Sequence, residues 1–493
     1  MLELSTLPKL EDILKEEMIK NHAEDIINVP YSGIENLIND NRFEDLKLEY
    51  EVLMQTSESQ LLLKQYIGKL IKKQGMELIQ NESQKKSPSL LIKNLISFRE
   101  KYIYILENCL GKNDSFNFQI KESFENLMNM NNQIIYCLAF YVDEILKQEI
   151  KRLSEFEIEN KLEDVIKMFR YIQSQDTFEA FYKDFLSKRL FTNSSGSYEY
   201  EMLMVKKLKM ESGLQYTQKI ETMFKDISVS QDLMKEFKKT IEFASIPFNL
   251  EVQVLTIGNW PIDHSVQLCF LPSFVENAKM VYTEFYMKKF TGRVITWKVS
   301  QGSCDVRAIF GNKKYEITMN PLQMCILDLF NISHSISFED IVNQTKIHSN
   351  DLKKQILPLL IFKLLISNNE SKEIKEEDVF TVNEKFFYKS LKLKIPILKP
   401  KNSTEWGTEE SNSQNIVEKV IEDRSMLIDT TIIKIMKARK KISHTDLQAE
   451  VAKILKGKFI PENAAIKLRI EYLIEKEYIE RSRDDKSIYI YKS

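Results

Sequence analysis

From Lys9 to Leu110 apolar residues recur at helical spacing, as in Phe43, Leu46, Tyr50 and Leu53, and again in Leu62, Leu63, Tyr66, Ile67, Leu70 and Ile71. That period predicts amphipathic helices packed side by side. Polar breaks at Asn81-Glu82-Ser83 and Gly111-Lys112-Asn113-Asp114 read as inter-helix loops, so residues 1–130 resemble part of an α-solenoid. Stripes such as Leu162, Val165, Ile166, Phe169, Ile172 and then Phe178, Phe181, Phe185, Leu186, Leu190 carry the same period through 131–250 and predict a helical bundle, interrupted at 192–197.

Near Leu250 the period changes to two. Glu251–Thr256 alternates, as does Arg293–Val299, and Tyr315–Met319 follows the turn at Gly311-Asn312-Lys313. A small mixed sheet is expected over 251–320, with 379–396 returning to it. Residues 321–378 return to short helices, with a cap at Ser337, and form a first winged-helix-like domain. The polar stretch 397–415 lacks apolar periodicity and reads as a linker. Beyond it, helices at Ile416–Lys441, Asp446–Leu455 and Pro461–Lys476 and strands at Tyr478–Arg481 and Ser487–Tyr491 describe a second winged helix over 416–493. The fold class is mainly α: a helical arm and bundle, a small α/β domain, and winged helices.

Composition supports this reading. With 493 residues, 43% of them hydrophobic, the chain can fill several cores, and 12 Gly and 11 Pro leave little scope for a turn-rich β fold. Seventy basic residues balance 72 acidic ones, so no global field recruits nucleic acid or a membrane. The five cysteines form no C-x-x-C pair, and charges interrupt each apolar run of the first residues. Those features predict a reducing compartment, cytoplasm or nucleus, with no membrane span, no structural zinc and no cofactor. No phosphate-binding loop, nucleophile elbow or metalloprotease motif occurs, so no catalytic residue is assigned. Cys269, Cys304 and Cys325 lie in apolar sequence and read as packing residues. A winged helix can bind DNA, but the helix after Pro461 offers Lys467 and Arg469 against Glu462, Glu471 and Glu475, too sparse a basic face for phosphate neutralisation.

Several blocks, in order, resemble the cullin family. They are Phe178–Leu190, Met202–Lys209 with Gly213 and Tyr216-Thr217, Met223–Ile227, Val254–Pro261, Phe285-Tyr286, Thr291-Gly292-Arg293 and Trp297. Closest are Glu422-Asp423-Arg424, Ile432–Lys441, Leu473–Arg481 and Tyr489-Ile490-Tyr491. The resemblance runs from about Asn131 to Ser493, while 1–130 is similar to only the last portion of the cullin-repeat arm.

The resemblance implies a non-catalytic scaffold of a multi-subunit ubiquitin ligase. In that family a small RING protein adds a strand to the sheet and holds a ubiquitin-charged conjugating enzyme. Strand addition draws on main-chain hydrogen bonds along an open edge. Val252, Val254, Ile295, Trp297, Val306 and Ile309 are the candidates for that sheet, the plainer alternative being that they only fill its core. Lys183, Lys188, Arg189, Lys206, Lys207 and Lys209 are candidates for a basic patch facing the conjugating enzyme, or else ordinary solvated helix faces. Lys437 occupies the I-M-K step at which cullins receive a ubiquitin-like modifier. On a helical wheel Ile428, Ile432, Ile435 and Met436 fall within about 100° of arc and Lys437 about 180° from Ile428, so Lys437 should face solvent with Lys434 and Lys441 beside it. A substrate adaptor is left open, because the matching arm is short. The rival readings are a cullin-like subunit of the anaphase-promoting complex, which lacks a comparable modification segment, and a winged-helix nucleic-acid-binding protein.

Overall fold

A computed structural model describes residues 7–81, 87–147, 152–192, 196–262, 269–311, 313–369, 374–395, 405–482 and 485–492. Of the breaks read from the sequence, 82–83, 193–195, 312 and 397–404 lie outside the described residues, as does 484 in the last hairpin. The chain divides into two compact units. One holds the residues up to Met223, Ile257–Pro261 and the residues from Glu409 onward; the other holds Phe224–Thr256 and Ile262–Thr408.

In the first unit the arm consists of α1 (Leu7–Lys15), α2 (Ala23–Ile27), α3 (Ile34–Asn39), α4 (Phe43–Leu53), α5 (Ser57–Gln80), α6 (Pro88–Asn108) and α7 (Asp114–Met128). Thr56 starts α5 by accepting the Ser59 N–H, and Pro88 starts α6 where no intrahelical N–H is needed. Glycine sets the α5–α7 distance. A Cβ on Gly75 would lie 2.5 Å from a Leu127 methyl, and one on Gly68 would lie 2.8 Å from the Gln119 amide. The bundle follows as α8 (Asn132–Lys147), α9 (Glu155–Phe169), α10 (Gln175–Thr192), α11 (Tyr198–Ser212) and the start of α12 (Leu214–Phe237), whose residues from Phe224 belong to the second unit. Ser154 and Glu157 form a reciprocal capping box at the start of α9. The stripe residues Leu162, Val165, Phe169, Phe178, Phe181 and Leu186 are all buried, as their spacing requires.

From Glu409 onward this unit also holds the C-terminal winged helix: α17 (Glu405–Arg439), β7 (Lys441–Ser443), α18 (His444–Leu455), α19 (Asn463–Glu475), β8 (Ile479–Arg481) and β9 (Ile488–Tyr491), with sheet order β7-β9-β8. Two details differ from the sequence reading. Residues 405–415 are helical rather than linker, because no proline separates them from the apolar face downstream and an established helix extends at little cost. The sequence pattern runs the preceding helix to Lys441 and gives no strand there, whereas Lys441–Ser443 forms the short strand β7. Lys440 breaks that helix with a φ of 65°, and its N–H still reaches the Met436 carbonyl at 2.8 Å.

The second unit contains α13 (Ser273–Lys289), β1 (Cys304–Phe310), β2 (Lys313–Met319), α14 (Pro321–Leu329), β3 (Ser335–Ser337), α15 (Phe338–Thr345), α16 (Ser349–Ile361), β4 (Leu365–Ser367), β5 (Val379–Val382) and β6 (Lys392–Lys394). β1 pairs antiparallel with β2, whose other edge pairs parallel with β6. The segment 379–396 divides: Lys392–Lys394 joins this sheet, whereas Val379–Val382 is the central strand of a second one, β3-β5-β4. One core spans both sheets, from Ile317 and Leu393 through Ile326 and Phe338 to Ile356 and Phe380. Ser337 caps α15 as Ser443 caps α18, each accepting the N–H of an aspartate three residues on, at 3.1 and 3.2 Å.

Candidate modification and strand-docking sites

The last turns of α17 carry the lysine singled out by the wheel. Ile428, Ile432, Ile435 and Met436 are buried in the winged-helix core with Leu447, Val451, Ile466 and Tyr489. Lys437 is exposed, as are Lys434 and Lys441. The helix end beneath it is held firmly. Arg439 pairs with Glu450 at 2.5 Å, and Tyr491 N–H donates to the Lys440 carbonyl at 2.9 Å. About two turns before Lys437, Arg469 of α19 makes a bidentate pair with Asp429, Nε reaching Oδ1 at 2.7 Å. That bond to Asp429 raises the Arg469 guanidinium above its ordinary pKa. It also occupies one of the two basic residues, Lys467 and Arg469, that this helix would offer a DNA phosphate.

The strand-docking candidates separate into two groups. Val252, Val254, Ile295 and Trp297 pack on one cluster with Leu233, Met234, Phe237, Tyr282 and Tyr286. Burial alternates along 251–254 and along 294–297 as in a strand. The ladder expected there is missing. Among the described residues, neither 251–255 nor 292–297 makes a main-chain hydrogen bond to another main chain. Instead the Ser230 hydroxyl of α12 accepts the Val254 N–H at 2.8 Å, and Asp226 accepts the Thr256 N–H at 2.8 Å. Peptide groups alternate sides along an extended chain, so those of Gln253 and Leu255 point away from the side that α12 occupies. Trp297 is fixed by its indole N–H, which donates to Thr283 Oγ1 at 3.1 Å.

Val306 and Ile309 lie elsewhere, in β1. Val306 packs on the core of the paired sheets, but Ile309 is 68% exposed. Their separation of three residues puts them on opposite faces of a strand, so they cannot line one surface.

The basic patch does not assemble. Arg189 is fully buried; it bonds Glu201 at 2.6 and 2.9 Å and Asp143 at 2.6 Å, and lies over the Tyr182 ring. Burial pulls its guanidinium down, but the Glu201 carboxylate wins and holds it above its ordinary value. Lys183, Lys188, Lys207 and Lys209 pair with Glu179, Asp184, Glu163 and Glu221 at 2.5–3.0 Å, which cancels most of their field. Lys206 remains exposed. Helical i and i+4 carboxylates flank two of these lysines, a signal the sequence held. Cys325 is buried, and burial pushes the Cys304 thiol up to about 12, so Cys304 is not a thiolate nucleophile. No described helix is long and apolar enough to cross a membrane.

Residues 1–234 match the cullin alpha solenoid domain, 254–386 the cullin alpha+beta domain and 423–485 the cullin neddylation domain. Cullin-3 of Dictyostelium discoideum is 33% identical over 528 residues, covering 99% of this chain and 68% of that protein. The chain belongs to the cullin family. Cullin-3A of Arabidopsis thaliana is likewise 33% identical over 494 residues, with 99% of this chain and 67% of the relative covered. Cullin-4 of Dictyostelium discoideum is 33% identical over 531 residues, with 99% and 64% covered. This cullin therefore spans about two thirds of the length of these relatives. Lys437, the extended segment from Val254 and the Arg293–Trp297 segment all fall inside matched domains. What the sequence does not reveal is the Asp429–Arg469 clamp and the lack, among the described residues, of a main-chain ladder along the two alternating segments; period-two patterning signals a strand but not its partner.

Proposed function

We propose that this cullin is the non-catalytic scaffold of a RING-type ubiquitin ligase, that its segments 251–256 and 293–298 take up a strand from the RING partner, and that Lys437 accepts a ubiquitin-like modifier. One observation carries the RING reading: two segments with strand-like burial share a hydrophobic cluster, and among the described residues neither 251–255 nor 292–297 forms a main-chain ladder. An open main-chain edge is the surface to which an added strand binds, with affinity from backbone groups and register from alternate side chains. The modifier reading rests on an exposed lysine at the end of a helix whose opposite face is buried, within the matched neddylation domain.

The chemistry then belongs to partners. A ubiquitin-conjugating enzyme, held by the RING protein, delivers ubiquitin to a substrate, and the scaffold raises the effective concentration of one near the other. The conjugating enzyme reaches this chain only through the RING protein, since the ion-paired lysines of α10 and α11 offer it little field. A substrate adaptor would engage the helical arm. A modifier on Lys437 would bias the position of the winged helix that bears it.

Affinity purification of the full chain, wild type and Lys437→Arg, tests both halves. The expected result is a small RING protein with each and a modifier-sized gel shift with the wild type alone. Absence of the RING protein, or a shift that survives the substitution, would overturn the corresponding half.

A further inference from the structure

Among the described residues, one polar attachment joins the winged helix to the helical bundle. Arg424, midway along α17, donates from Nε to Asp176 Oδ2 at 2.6 Å and from Nη2 to Asp176 Oδ1 at 2.6 Å, with a third bond to Thr177 Oγ1 at 3.1 Å. Asp176 and Thr177 stand in the first turn of α10, 248 and 247 positions away in the chain. The guanidinium also lies over the ring of Phe459, 4.8 Å from its centroid, and Phe459 is part of the buried winged-helix core. Among the described residues, no other hydrogen bond or ion pair links residues from Glu409 onward to the bundle.

A bidentate guanidinium–carboxylate pair fixes direction as well as distance, because the two planar groups meet in one orientation. Thr177 is buried and Asp176 also accepts the Thr177 N–H at 2.8 Å, so the acceptor cannot swing to follow a moving arginine. Thirteen residues of unbroken helix separate Arg424 from Lys437, about 20 Å. A turn of about 20° about Arg424 would therefore carry Lys437 about 7 Å. Phe459 couples that turn to the whole domain, since the ring that meets Arg424 belongs to the same core as Ile432 and Met436.

We propose that Arg424 is a positioning residue, a latch on Asp176 and Thr177 that sets where the winged helix, and with it Lys437, is presented. The latch rests on the structure alone; its consequence for modification rests on the reading of Lys437 given above. Loss of the pair leaves the domain held by apolar contact and chain connectivity, and the ratio of docked to undocked molecules falls about ten-fold.

Double electron–electron resonance between nitroxides on unnatural residues at exposed Lys219 and Glu480 reads the domain position in the full chain. The wild type should give one narrow distance, Arg424→Ala a broad or second distribution, and the charge-swapped Asp176→Arg/Arg424→Asp pair a return to the narrow one. An unchanged distribution in Arg424→Ala, or a swap as broad as the single variant, would overturn the latch. Melting curves establish that each variant is folded, and Arg424→Lys, which keeps charge but not the fork, should fall between. Conjugation of the ubiquitin-like modifier by its purified enzymes, followed in parallel, should slow in Arg424→Ala and recover in the swap. If the wild type takes no modifier at Lys437, that reading fails, while the distances still decide the latch.

Discussion

Two regions of this cullin share one sequence pattern and differ in how it is completed. In the C-terminal winged helix, β7, β9 and β8 pair strand to strand, from Lys441↔Ile490 to Ile479↔Tyr491. Around Tyr282, the segments carrying Val254 and Ile295 alternate in burial just as a strand does and bury their inward side chains on a common cluster, but among the described residues their backbones meet no other strand. Hydrophobic burial and main-chain pairing are thus separable. The first region is finished by the chain itself, whereas in the second the side chains are satisfied, Val254 and Thr256 are bonded to Ser230 and Asp226, and under the proposed reading Gln253 and Leu255 keep peptide groups for a guest strand.

The largest effect expected is all or none. Lys437→Arg keeps the charge and an exposed position but removes the amine that forms the isopeptide bond, so conjugation at this domain should vanish by gel shift while the melting temperature stays put. Next comes the closed network of the bundle. Arg189→Ala leaves Asp143 and Glu201 buried without their cation and should cost about 3–5 kcal/mol in urea unfolding; a change under about 1 kcal/mol would show that water replaces the guanidinium.

Leu255→Pro bears on the open region. It deletes an N–H that points away from α12, so RING-partner affinity should fall about 30-fold, roughly 2 kcal/mol, in a titration, with little change in stability of the free chain. Equal loss of stability would mean that the edge is already paired. The smallest effect concerns the arm. Glu49 of α4 has a buried Oε1 without a hydrogen-bond partner, and burial raises its carboxyl to about 7. The folded chain keeps a proton there that the unfolded chain releases near 4.5. Its favourable contribution is therefore present below pH 4.5 and is lost as the pH rises through about 7. Glu49→Gln should then stabilise by about 1 kcal/mol at pH 8, discounted for partial exposure, and have little effect at pH 4.5.

Much of this was legible in the sequence where one period dominates. The stripes from Leu162 to Leu190 name the buried face of the bundle, and the wheel from Ile428 to Lys437 separates core from solvent correctly. Three things were not legible, each because local pattern does not encode a distant partner. Alternation at Val252 and Ile295 gives strand geometry but not a ladder. The run from Lys183 to Lys209 looks basic until the carboxylates of α9, α10 and α12 are set against it. Arg189 and Arg424, one fully buried and one bridging 248 positions to Asp176, differ in nothing a linear reading detects. The supposed linker at 405–415 shows the opposite error, since polar composition without a helix breaker is compatible with helix.

The most direct test of the open edge is hydrogen exchange at the amides of 251–256 and 293–298, measured on the free chain and again with the RING protein bound. Strand uptake predicts fast exchange at Gln253, Leu255 and the 293–297 amides in the free chain and strong protection in the complex, with Val254 and Thr256 already slowed by Ser230 and Asp226. A complex that forms while Gln253 and Leu255 go on exchanging at their free rate would contradict it.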